Sequence, residues 1–223
     1  MIPEPAVTQR DPLIYFGAIA GFGSTVFSAF SIVLVLVFKN DFGVQAISDE
    51  TTVVQVVHSL SVGLAYLLLG VVAVALWRFV APPSTRATIA SVMGVIGAVV
   101  VAVGALAAGL FVQRSVPTYA AIATLVAQLA IGIWLFSINV ELRGRRPKTS
   151  VLLGLGQVFG IALVVVGLGG VFGYTSLLRG AGLLITIGFL VWPAWIGGLL
   201  LSAPTPTASG SERTQASPPP PRS

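Results

Sequence analysis

Few side chains in this chain can do chemistry, and the sharpest candidate is its single histidine. His58 lies in a long apolar run with Thr51 at i−7 and Gln55 at i−3, a spacing that on a helix makes one short polar face. An imidazole about one turn below a membrane interface can bind a ligand head group, relay a proton or sense pH. The plainer reading, and the preferred one, is a histidine hydrogen-bonded to another helix or to interfacial water. For a ligand, the expected outward-facing pocket is the neighbourhood of His58, Gln55 and Tyr119. One histidine cannot supply the paired axial ligands of many membrane cytochromes, so haem is not expected. The absence of cysteine excludes disulfides, iron–sulfur clusters and thiolate zinc sites. Asp49 and Glu50 beside one histidine do not make a recognisable metal-ligand spacing, so no metal and no cofactor is expected. No G-x-S-x-G, H-E-x-x-H or phosphate-cradling glycine loop occurs, which leaves no catalytic residue to name and reads as a non-enzyme.

The remaining polar groups at depth are Gln128, Asn139 and Gln157, amides of the kind that join helices by hydrogen bonds worth about 1 kcal/mol. Gln128 and Asn139 are eleven residues apart and share a helix face. No Asp, Glu, Lys or Arg stands near the middle of an apolar run, which argues against a proton-driven carrier. A second pattern is steric. Gly17, Gly21, Ser24, Ser28 and Ser31 recur at three and four residues and so form one face of the first helix. Lipid supplies no hydrophobic drive between helices, so such small-residue seams associate by close contact, and packing is preferred here to a serine-lined groove.

These residues need elements to carry them. Of 223 residues 56% are hydrophobic and only 9% charged, with a mean hydropathy of +0.98. A soluble domain carries about 25% charged residues, so this composition describes an integral membrane protein. Six apolar runs follow, each long enough to cross a bilayer: about 14–38, 53–80, 88–112, 117–140, 151–172 and 182–203. The expected fold is an all-α six-helix transmembrane bundle over 13–203, preceded by a short cytoplasmic segment at 1–12. Residues 204–223, rich in Pro, Ser and Thr, read as a disordered tail.

Charge sets the expected orientation. Along a six-span path Arg10, Arg78, Arg86, Arg143, Arg145, Arg146, Lys148, Arg213 and Arg222 fall on one side, and Lys39, Arg114 and Arg179 on the other. Nine against three places both termini in the cytoplasm, with Arg143, Arg145, Arg146 and Lys148 as the main determinants. The net charge of +5 therefore points to lipid head groups and topology, not to nucleic acid. The dominance of Arg over Lys, with Ala, Val, Gly and Leu in the spans, fits a GC-rich bacterial genome.

The last run contains FLVWPAWIGGLLL, with Pro193 near its centre, where it removes a backbone hydrogen bond and is expected to kink the helix. Trp192, Pro193, Trp195 and Gly197 resemble the ending of a family of uncharacterised bacterial six-helix membrane proteins. The resemblance implies the fold and no reaction. Together these features lead to the expectation of a polytopic inner-membrane protein with a structural, regulatory or partner-binding role, its partners being the bilayer and a second copy or another membrane protein. The alternative is a carrier or binder of a small apolar or lipid-like molecule.

Overall fold

The computed structural model describes residues 11–38, 49–80, 82–110, 118–145, 150–172 and 175–202, with side chains described throughout except at 49–52, 110, 118–120, 150 and 175–180. All the regular structure among them is helical: α1 Pro12–Val37, α2 Asp49–Phe79, α3 Thr85–Leu110, α4 Thr118–Arg145, α5 Ser150–Val171 and α6 Thr175–Leu201. Each carries a stretch of 21 to 27 residues that is apolar enough to span a membrane. At about 1.5 Å per residue, 21 residues cover the roughly 30 Å of hydrocarbon. Three helices run beyond their apolar runs. α2 starts at Asp49, α6 at Thr175, and α4 continues to Arg145, so Arg143 and Arg145 belong to the last turn of a helix and not to a loop. Basic side chains are favourable there because they face the negative end of the helix dipole. Arg146, Lys148, the tail and residues 1–10 lie outside the described residues.

Successive helices pack side by side, and α6 closes on α1, so the six form a ring in chain order, with α2 and α6 also touching across it. Small residues make the closure. Gly17 of α1 sits against Ala75 of α2 and Leu200 of α6, and Gly21 sits on the backbone of α6 at Pro193 and Gly197. The small-residue face of α1 is therefore buried along its whole length, Gly17, Gly21, Ser24, Ser28 and Ser31 included. α6 runs continuously as a helix through Pro193.

The end of the bundle where α2 passes to α3 and α4 terminates is held by polar contacts. Arg145 donates to the carbonyls of Val80 at 2.8 Å and Pro82 at 2.9 Å and pairs with Glu141 at 2.9 Å. Glu141 in turn accepts from Ser84 Oγ, which itself accepts the Ala87 amide hydrogen and so caps α3. Arg145 thus satisfies carbonyls that follow the end of α2. Beside it, Asp11 caps α1 through the Leu13 amide and pairs with Arg78 at 3.2 Å.

Inside the ring, packing changes along the axis. From mid-depth to this basic end the interior is filled by fully buried side chains, among them Leu69, Leu76, Trp134, Leu135, Ile138 and Ile196. An aromatic chain crosses the centre: Trp134 and Trp192 with ring centroids 5.8 Å apart, Phe159 and Phe189 at 5.0 Å, Phe189 and Tyr66 at 5.0 Å, all edge to face. Trp192 Nε1 donates to Asn139 Oδ1 at 3.1 Å, and Asn139 Nδ2 donates to the Leu135 carbonyl at 2.7 Å. This satisfies both buried groups without charge. Towards the opposite end the interior loosens. On α2, Leu69 and Ala65 are buried, whereas Val62, His58 and Gln55, further along the same face, are only half-buried.

Candidate functional site

The loosened half contains a cavity of about 180 Å³ between α1, α2 and α6. Its position follows from helix periodicity. Ser28, Ser31 and Ile32 lie on the inward face of α1, Val62, Ala65 and Tyr66 on that of α2, and Ile185, Thr186 and Phe189 on that of α6. Small side chains on α1 and Ala65 on α2 keep volume low where the three helices meet. One turn deeper the same face of α1 closes, because Ser24 Oγ donates to the Ala65 carbonyl at 3.0 Å and draws the two helices together.

The polar groups of the cavity are hydroxyls. Ser31 Oγ lies 2.9 Å from His58 Nδ1. The serine donates to an unprotonated Nδ1 or accepts from Nδ1–H, and the pair accordingly offers the cavity an acceptor or a donor. Ser28 is 8% exposed, lines the cavity and forms no hydrogen bond among the described residues. Thr186 Oγ1 is engaged by the Gly182 carbonyl at 2.9 Å. The Tyr66 hydroxyl meets the Gln128 side chain of α4, which leaves its ring as an apolar wall beside Phe189. Among the described residues no Asp, Glu, Lys or Arg lines the cavity. Such a site can orient an uncharged molecule by hydrogen bonds.

The structure distributes the sequence-derived candidates unevenly. His58 reaches the cavity through Ser31, across the α1–α2 interface. Gln55 stands nearly one turn beyond His58 and is not a wall of the cavity, though it has an interaction of its own. Tyr119 opens α4, which packs between α3 and α5 and does not border α1, and its side chain lies outside the described ones. Ser28 and Ser31 were legible as a seam and serve also as cavity wall, while Gly17, Gly21 and Ser24 pack. Tyr66, Thr186 and Phe189 had no distinguishing sequence signal, since aromatic and hydroxyl residues inside spans recur throughout the chain. Among the described residues no group of three His, Asp or Glu side chains is placed to hold a metal ion.

Two further grooves face outward between helices. One, of about 260 Å³, lies between α2 and α3 along Val74, Trp77, Val92 and Ile96; the other, of about 100 Å³, lies between α5 and α6 beside Trp195. Their walls are almost wholly apolar and include exposed Val92, Ile96, Leu155 and Ile187, as expected of surfaces that meet lipid. Comparison with protein-family models, curated proteins and solved structures finds no match to this chain. The ending Trp192, Pro193, Trp195 and Gly197 accordingly stands as a resemblance of four positions.

Proposed function

We propose that this protein is a multi-pass cell-membrane protein that binds a small amphipathic molecule within its helix ring and performs no chemistry on it. The observation that carries the reading is the cavity between α1, α2 and α6, where the unpartnered Ser28 hydroxyl and the Ser31–His58 pair converge on apolar walls. Of the two roles expected from sequence, a close-packed structural bundle accounts for the filled half of the ring, which serves as scaffold. The opened half is accounted for by binding. With the basic end holding Arg78, Arg86, Arg143 and Arg145, the positive-inside tendency puts that end and both termini in the cytoplasm. The cavity then lies in the outer half of the membrane.

Native mass spectrometry of the protein released from lipid nanodiscs tests this directly. A reproducible small-molecule adduct, lost in His58→Ala without loss of folded protein, is the expected result. Bare protein, or an adduct indifferent to His58, removes the support for binding at this cavity and returns a structural or partner-binding role to the front.

A further inference from the structure

We infer that the occupant of this cavity is an uncharged single-chain amphiphile headed by one carbonyl or hydroxyl oxygen, an inference that rests on the cavity being a binding site at all. Three observations select the class. First, among the described residues no ionisable carboxylate, ammonium or guanidinium lines the cavity, and most of its wall is apolar. A charged head there would be stripped of water with no counter-charge, the most costly of all burials. Second, the polar atoms are few and suited to a single oxygen. Ser28, a residue only 8% exposed, lines the space and has no protein partner among the described residues, so its hydroxyl hydrogen is available to a ligand oxygen. The Ser31–His58 pair, one turn further along α1, supplies a second donor or acceptor to the same head. Third, the rest of the wall is aliphatic and aromatic. Ile32, Val62 and Ile185 flank the space and the edge-to-face pair of Tyr66 and Phe189 closes it, which suits a hydrocarbon chain or a flat ring. Among the described residues a phospholipid head group has no counter-charge here to meet its phosphate.

The test uses the full-length protein in phosphatidylcholine nanodiscs and four photoreactive ten-carbon probes that differ only in head group: alcohol, methyl ketone, carboxylate and trimethylammonium. Each carries a diazirine in the chain, and crosslinked positions are mapped by peptide mass spectrometry. The alcohol and ketone are expected to mark the facing segments of α1, α2 and α6, with the charged probes about a hundredfold weaker there at equal membrane loading. Ser28→Ala is expected to reduce ketone labelling about three- to tenfold, the size of one neutral hydrogen bond. Val62→Trp, at a half-buried position that lines the space, is expected to abolish cavity labelling by filling it. Equal labelling by charged and neutral heads overturns the inference about head group while leaving binding at the cavity standing. Labelling confined to the outward lipid-facing grooves, with none in the cavity, overturns both.

Discussion

Gly156 offers the most searching test of the packing described above. A Cβ placed there would fall well inside van der Waals contact of Trp192 Nε1 and of both side-chain polar atoms of Asn139. Asn139 is held in place, while Trp192 also lines the groove between α5 and α6. Asn139 is fully buried and tied to the Leu135 carbonyl and to Trp192, and Trp192 is wedged between the Trp134 and Phe159 rings. Gly156→Ala must therefore overpack the joint of α4, α5 and α6, at about 1–3 kcal/mol. If relief comes by parting the indole from the amide, a buried donor and acceptor are left unpaired, which adds about 1–3 kcal/mol. The matched control is Gly154→Ala, two residues earlier on the same helix, where an added Cβ meets nothing within 4 Å. Both are helical glycines, so the backbone gain of up to about 1 kcal/mol from Gly to Ala cancels in the comparison. The expected difference between the two variants is about 1–6 kcal/mol, read by steric trapping or by reversible unfolding in mixed micelles. A difference below about 0.5 kcal/mol, the scatter of neutral surface changes, would refute the packing of Asn139 and Trp192 over Gly156.

Three further outcomes are expected. Gly21→Val drives a branched side chain into the α6 backbone at Pro193 and Gly197, and should cost about 1–3 kcal/mol or more by unfolding in micelles, with loss of α1–α6 crosslinks between engineered cysteine pairs. Arg145→Gln removes the donors to Val80 and Pro82 and the pairing with Glu141; because the guanidinium is partly exposed the expected cost is about 1 kcal/mol, with faster hydrogen exchange in the first turn of α3, whereas Arg143→Gln should stay within about 0.5 kcal/mol of the parent. In this cysteine-free chain, Asp49→Cys should react with an impermeant thiol reagent added outside intact cells and Lys148→Cys should not, and the reverse pattern would invert the orientation.

Much of the fold was legible because its cause is local. A run of twenty-odd apolar residues must be helical in lipid, where each backbone N–H and C=O needs a partner within the segment, and this determined six helices and their approximate bounds. The seam on α1 was legible for the same reason, since residues three and four apart share a face in any helix. The bounds missed by several residues at Asp49, Arg145 and Thr175, because hydropathy marks where lipid ends and a helix ends only where its hydrogen bonds do. The candidate site was less legible. His58 stood out as the sole imidazole, but its partner Ser31 lies 27 residues away, and nothing in the spacing pairs them.

The sequence by itself determined that the chain belongs in a membrane, which faces of its helices are small or polar, and that no charge stands at depth, because composition and periodicity act within one segment. Only the tertiary structure decided which faces meet. The closure of α6 on α1 is set by contacts between helices far apart in the chain, and it turns the lower part of a serine stripe into packing and the upper part into the wall of a cavity. The same closure sets Thr186 and Phe189 opposite Ser28 and Tyr66. Side-chain volume across three helices, summed at one depth, leaves space or fills it, and that sum is a property of neighbours that no single span contains.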